Sequence, residues 1–251
     1  MRITTTQQLV DLLDGLFADR ADWTSRAGAD HWAEVLSREG HPLTSDLPDA
    51  NLLLWAQRGF LGNLGAKTQT LTALDIGCGL GRNSRWLANA GFAVIGVDIA
   101  AYAVEEANRR SSAHRVVYLE LDFLREDVPG GPFDLVYDSG CFHHLPPHRR
   151  ISYLQALDTC LAPGGLFGIS TFATGKTGSE ADDLTLFRKG RLDGGIAYSR
   201  DELCEMFPAF AVLDVRPMPV ASEVDEPAFY QDFLNTALFR KASGEGTSQT
   251  D

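Results

Sequence analysis

The sequence predicts an α/β fold, an open, doubly wound parallel sheet preceded by helices, on two observations. From Leu71 to Thr171, short β-branched or apolar runs alternate with helix-length segments, the pattern of βαβ units. From Thr6 to about Leu64, apolar residues recur instead at helical spacing. The 251 residues leave room for one large α/β domain or two small ones. Hydrophobic residues at 44% and charged residues at 22% exclude a disordered chain.

In the amino-terminal segment Leu9, Leu12, Leu13, Leu16 and Phe17 make one apolar face, Trp32, Val35 and Leu36 a second, and Leu52, Leu53 and Trp55 a third. Thr6, Asp30 and Asp49 are expected N-caps, and Gly40-His41-Pro42 and Leu47-Pro48 break the helices. Strands are expected at Leu71–Ile76, Ala93–Asp98, Val116–Asp122, Phe133–Asp138 and Leu166–Thr171. Helices are expected at Arg82–Ala90, Ala101–Arg110 and Arg149–Leu161, the first stopped by Gly91 and the last by Pro163-Gly164-Gly165. A polar, glycine-containing stretch, Ala173–Ser199, precedes a short helix at Asp201–Phe207 and strand-like runs at Ala211–Val215 and Thr236–Arg240. The organisation expected is a helical cap or lid over residues 1–70, a ligand-binding core over 71–171, a loop and last strands over 172–240 completing the same sheet, and a disordered tail over 241–251.

A net charge of −12, from 22 Lys and Arg against 34 Asp and Glu, has the wrong sign for a protein that binds by neutralising phosphates. Nucleic acid and anionic membrane are therefore not expected partners. No apolar run is long enough to span a bilayer, and Met1–Gln8 lacks the apolar stretch of a signal peptide. Cys78, Cys141, Cys160 and Cys204 form no CxxC pair, which points to reduced thiols and a cytoplasmic location.

The most informative segment is Leu74-Asp75-Ile76-Gly77-Cys78-Gly79-Leu80-Gly81-Arg82-Asn83, where a buried strand turns into a helix. Its alternating glycines allow a sharp turn that brings backbone N–H groups to a ligand at the positive end of the helix. A dinucleotide fingerprint places its third glycine one residue later, and Asp75 would repel a pyrophosphate, which disfavours a dehydrogenase. The absence of Lys-Ser or Lys-Thr excludes a Walker A loop. An acid beside a helix N-terminus suits a ligand with both an ammonium and a carboxylate, such as the amino-acid end of S-adenosylmethionine (AdoMet). Asp98, about 20 residues past Asp75, stands where a carboxylate accepts both hydroxyls of an unphosphorylated ribose. Asp122 and Phe123 offer a carboxylate to an adenine amino group and an aromatic face to the ring.

Taken together, Asp75–Gly81, Asp98, Asp122, Phe133–Asp138 and Leu161-Ala162-Pro163-Gly164-Gly165 resemble, in order and spacing, the motifs of class I AdoMet-dependent methyltransferases. The resemblance covers residues 71–171 and, less specifically, the last two strands. It implies a Rossmann-like, mostly parallel seven-stranded sheet with an antiparallel last strand. The cofactor set it implies is Asp75, Gly77, Cys78, Gly79, Gly81, Arg82, Asn83, Asp98, Ile99, Asp122, Phe123 and Asp138. Ala100-Ala101 departs from the Ser or Thr cap frequent in the family, at a cost of about 1 kcal/mol to that helix start.

The acceptor is read from the loop after the fourth strand, Asp138–His148, because ligands sit outside the carboxyl ends of the strands. This loop lacks the Asn/Asp-Pro-Pro-Tyr/Phe/Trp sequence of resembling nucleic-acid amino-methyltransferases, so a small-molecule acceptor is expected. It loosely resembles the loops of thiopurine-type and tellurite-resistance-type members. Methyl transfer is an in-line displacement that the protein promotes by alignment and exclusion of water. A hydroxyl or ammonium acceptor also needs a base, for which His143 and His144 are the candidates; the alternative is that they shape the loop. A metal site from His143, His144 and His148 is not expected, because adjacent histidines point apart. Trp23, Trp32 and Trp55 are candidate lid aromatics, of which Trp32 is taken as a substrate contact, and Tyr198 or Glu180 as a group orienting a polar substrate. The function expected is AdoMet-dependent methyl transfer to a small molecule. The alternatives are an AdoMet-consuming cyclase or lyase, for example azetidine-forming, and a non-catalytic AdoMet-binding protein.

Overall fold

The computed structural model describes residues 2–17, 28–62, 70–111 and 115–243. Seven strands form one sheet: β1 (Thr72–Ile76), β2 (Ala93–Asp98), β3 (Val116–Glu120), β4 (Phe133–Ser139), β5 (Leu161–Phe172), β6 (Phe210–Pro217) and β7 (Leu234–Lys241). Their order across the sheet is β3-β2-β1-β4-β5-β7-β6, with the first five parallel and β7 antiparallel to both of its neighbours. This is the Rossmann-like, mostly parallel sheet the sequence predicts. The order reverses between β1 and β4, so the crevice for a ligand opens above the carboxyl ends of these two strands.

The period-2 alternation of the strands divides the core. Leu74, Ile76, Val136 and Phe167 face a layer built on Tyr153, Leu157 and Phe207. Ala73, Leu135, Tyr137 and Leu166 face the opposite layer, built on Trp55, Leu87 and Leu52. Trp55 is fully buried there, its indole N–H donating to Asp214 at 2.9 Å, so it packs the core and does not lid a pocket.

Helices α1 (Thr6–Asp14), α2 (Ala29–Ser37) and α3 (Ala50–Gln57) precede the sheet. Thr5 caps α1 in place of Thr6, and Gly28 precedes α2 with Asp30 in its first turn. The expected apolar face of α1 is corrected: Leu9, Leu12 and Leu16 are exposed, and Val10 and Phe17 are buried. The reason is electrostatic. Asp11 and Asp14 pair with Arg149, and Asp14 also meets His148 at 2.8 Å, so these acids turn toward the protein. Trp23 lies outside the described residues.

Helices α4 (Arg82–Asn89), α5 (Ala101–Arg110) and α6 (Arg149–Cys160) match the crossovers expected. Cys160 ends α6 and Leu161 already pairs with Phe133, so the expected stop at Pro163-Gly164-Gly165 is an irregularity inside a longer β5. The stretch Ala173–Ser199 contains α7 (Asp183–Lys189), capped by Asp182 and ended by Gly190 in the left-handed region. Helix α8 (Arg200–Met206) begins with a Ser199–Glu202 capping box. Strand β7 runs through Lys241, and Gly164 N–H donates to the Ala242 carbonyl, so residues 241 and 242 of the expected tail belong to the sheet; residues 244–251 lie outside those described.

Candidate functional site

The turn from β1 to α4 is built on three glycines with positive φ, Gly77, Gly79 and Gly81. Two of them serve packing. A methyl on Gly77 would overlap the Cys141 sulfur, and one on Gly81 would lie 2.9 Å from Tyr118 Cζ. Gly79 is open, with only Leu36 within 3.7 Å of such a methyl. A cavity of about 880 Å³ opens over this turn, lined by Gly77, Cys78, Gly79, Arg82 and Asn83. Its size lies toward the upper end for small-molecule sites.

At one end, Asp98, Ile99, Asp122 and Phe123 line the cavity at the carboxyl ends of β2 and β3. Asp98 Oδ2 accepts Gly79 N–H and Oδ1 accepts Ala100 N–H, both at 2.9 Å. One carboxylate thus holds the glycine turn and the residue that precedes α5, whose first turn has no side-chain cap. Burial raises the Asp98 pKa, and the amides of Ala100, Gly79 and Ile99 oppose that rise. Asp122 Oδ1 accepts Leu124 N–H at 2.9 Å, and the Phe123 ring packs edge-on against Tyr153.

At the other end the wall is aromatic. His143 stacks on Phe172 with ring centroids 3.7 Å apart, and His144 lies edge-on to Trp32 at 5.0 Å and to Phe172 at 5.5 Å. Phe172 N–H donates to His143 Nδ1 at 3.3 Å, and the two histidine Nε2 atoms are 3.1 Å apart. Burial pushes His143 well below the ordinary histidine range and His144 down to about 3, so both rings are neutral at neutral pH. Phe229, Gln231 and Phe233 close this end from the loop before β7.

Five expected site residues lie elsewhere. Asp75 is buried beneath the turn, its carboxylate accepting Ser84 Oγ at 2.5 Å; burial pushes its pKa up to about 7. Gly81 packs under Tyr118 and is absent from the cavity wall. Asp138 is fully buried: it accepts the amides of Gly140, Cys141 and Phe142 and the Tyr153 hydroxyl, so it shapes the loop after β4. Tyr198 packs against Phe142 and under Arg150 away from the cavity, and exposed Glu180 accepts Gly175 N–H. His148 turns to Asp14, and among the described residues no three His, Cys, Asp or Glu side chains gather as metal ligands. The four cysteines are free thiols.

The sequence reading took Asp49 only as an N-cap, the position it holds on α3, and missed its buried pairing. At the N-cap of α3 it makes no capping bond; it receives Arg82 at 2.8 Å, the Tyr137 hydroxyl at 2.6 Å and Ser139 Oγ at 2.5 Å, fully buried. Asn83 Oδ1 accepts Asp49 N–H at 3.0 Å, so the cap segment is bolted to the start of α4. Missed too were Phe229 and Phe233, whose signal was the cluster of aromatics in Phe229-Tyr230-Gln231-Asp232-Phe233.

Residues 73–165 match the family model of a methyltransferase domain. This segment is a methyltransferase domain. It contains the glycine turn, Asp98, Asp122 and both histidines, and leaves most of the aromatic wall outside. An uncharacterized methyltransferase of Schizosaccharomyces pombe is 40% identical over 86 residues, 34% of this chain and 59% of its own. The chloroplastic tocopherol O-methyltransferase of Arabidopsis thaliana is 28% identical over 148 residues, 56% of this chain and 40% of its own. The chain thus spans less than two thirds of the length of these curated relatives. In fold, the methyltransferase domain and its additions are similar to magnesium protoporphyrin IX methyltransferase from Synechocystis PCC 6803, with a TM-score of 0.56 at 18% identity over 93% of this chain and 99% of that one. The 1,6-didemethyltoxoflavin-N1-methyltransferase of Burkholderia thailandensis gives 0.54 at 21% identity over 97% and 93%.

Proposed function

We propose that the protein is a cytoplasmic enzyme that transfers the methyl group of AdoMet to a small-molecule acceptor. The observation that carries this reading is one cavity joining two unlike ends: a carboxylate-bearing end at Asp98 and Asp122 beside the glycine turn, and an aromatic end over β4 and β5. AdoMet supplies a methyl group already activated by its sulfonium. The fit at the first end rests on Asp98, a nearly buried carboxylate that faces the cavity and suits a ribose diol, on Ile99 and Phe123 as apolar walls, and on the open backbone at Gly79. Arg82 also lines the cavity, held by Asp49 and Ser139.

The roles at the second end follow from the pKa directions. A base must accept a proton near neutral pH, and burial holds His144 far below that range. His143 and His144 therefore orient the acceptor and exclude water, and Trp32 closes the site from α2. The space that continues past the glycine turn to Phe172 and Phe233 argues against a cyclase or lyase, which needs no acceptor pocket. Among the described residues no helix is long and apolar enough to cross a membrane.

The test is calorimetric titration with AdoMet and S-adenosylhomocysteine, with mass spectrometry of the mixture. Both ligands are expected to bind, with AdoMet left intact until an acceptor is added. Asp98→Ala is expected to lose at least 100-fold in affinity; wild-type binding by this variant, or acceptor-free loss of AdoMet, overturns the assignment.

A further inference from the structure

We propose that Gln231 determines acceptor specificity: the acceptor is an amphipathic small molecule with an apolar body and, on its outer side, a neutral group that both donates and accepts hydrogen bonds, such as a carboxamide or lactam. This rests on the methyltransferase reading and deepens it at the acceptor half of the cavity.

The sheet order sets the two halves apart. Asp98 ends β2, whereas Gln231 and Phe233 precede β7. Strand β7 is antiparallel to β5 and its first residue, Leu234, pairs with Phe172, so its start lies at the same edge of the sheet as the carboxyl ends of the parallel strands. Between β2 and β7 stand β1, β4 and β5. Four strand spacings put the start of β7 about 19 Å from the end of β2. Gln231 thus belongs to the side of the cavity away from the ribose carboxylate, past the glycine turn of β1.

On that side the cavity first presents rings. Trp32, Phe172 and Phe233 are each only half-buried and all line the cavity, with Phe172 edge-on to Phe233 at 6.0 Å. Covering this apolar surface is favourable for an apolar body and costly for a charged one.

Gln231 follows, half-buried and lining the cavity together with Thr177. Its loop is pinned on both sides of it. Phe229 N–H donates to the Pro48 carbonyl at 2.7 Å, the Phe229 carbonyl accepts Ala50 N–H at 3.0 Å, and the Phe233 carbonyl accepts Ala173 N–H at 2.9 Å. Lys176 and Asp232, the neighbours of Thr177 and Gln231, pair at 3.5 Å, which joins the two loops and opposes one charge to the other. A primary amide offers a donor and an acceptor side by side, which another amide meets with two hydrogen bonds and an ion with only one kind. His31, Arg38 and His41 also line the cavity, from α2 and the turn after it, and an anion drawn to them is the rival that the charged probes test.

The test is calorimetry at pH 8 on protein saturated with S-adenosylhomocysteine, with naphthalene-2-carboxamide, naphthalene-2-carboxylate and naphthalen-2-ylmethylammonium as probes. The carboxamide is expected to bind at least tenfold tighter than either ion. Phe172→Ala is expected to weaken the carboxamide about tenfold. Gln231→Ala is expected to bring it within about threefold of the ions, and Gln231→Glu, whose carboxylate only accepts, to favour the ammonium. An ion that binds wild type as tightly as the carboxamide does, a preference that survives Gln231→Ala, or binding of none of the three overturns the inference. So does a loss of more than tenfold in S-adenosylhomocysteine affinity in Gln231→Ala, which would place this side chain against the cofactor. Failure of the wild type to bind S-adenosylhomocysteine instead overturns the cofactor assignment on which the inference rests.

Discussion

Asp49 shows how far one side chain's role depends on distant partners. Its sequence context, Leu47-Pro48-Asp49 before an apolar helix, is that of an N-cap. Its carboxylate is instead the counter-ion of Arg82 in a fully buried position, with two hydroxyls completing its bonds. Removing one partner of such a pair leaves an uncompensated charge, at a cost of about 3–5 kcal/mol. Asp49→Ala is therefore expected to lower stability by about that much in urea titration and to weaken AdoMet binding through loss of Arg82 placement. An effect under about 1 kcal/mol would show that Arg82 finds water or another acceptor.

The element that matters most is the turn between β1 and α4. Its glycines were legible in the sequence as a ligand cradle, yet Gly77 and Gly81 are needed because Cys141 and Tyr118 pack where their side chains would be. Gly81→Ala combines a φ of +79° with overlap at Tyr118, whereas Gly40→Ala has a φ of +76° and open space. Backbone strain of about 1 kcal/mol is common to both, so the difference between them isolates the packing. Gly81→Ala is expected to melt several degrees below Gly40→Ala; equal melting temperatures would show that Tyr118 swings aside. Helix α7 escaped the sequence reading although Asp182 and Gly190 are sound cap signals, because only Leu186 of its seven residues is fully buried. With so short an apolar stripe, periodicity carries little signal.

For the molecule as a whole, Asp49, Asp75 and Asp138 are buried near the carboxyl ends of β1 and β4, and Asp75 feels the charges of both other carboxylates and of Arg82. Burial raises Asp75 to about 7 and Asp138 to about 6, against 3.8 for the ordinary group. A raised carboxylate pKa means that the folded state holds a proton the unfolded state has released. Stability from these two groups is thus greatest below pH 4, falls as pH rises to about 7, and is level above that. Asp75→Asn, which keeps an acceptor for Ser84 Oγ, is expected to melt higher than the wild type at pH 8, with the gain shrinking toward zero near pH 4. A gain independent of pH would mean that Asp75 is ionised throughout.

The sequence by itself determined the sheet, its crossovers, and the Asp98 and Asp122 end of the cavity, because strand periodicity, glycine turns and carboxylates at strand ends are local signals set by backbone geometry. It placed Trp32, His143 and His144 at the cavity as well. Only the tertiary structure decided that Asp75 and Asp138 brace the loops beside the cavity, that Tyr198 fills the core, and that residues 229–234 finish the aromatic wall. Those outcomes turn on which buried partners reach a carboxylate or ring from remote parts of the chain, and desolvation, which sets the protonation of the histidines, exists only once the chain has packed around them.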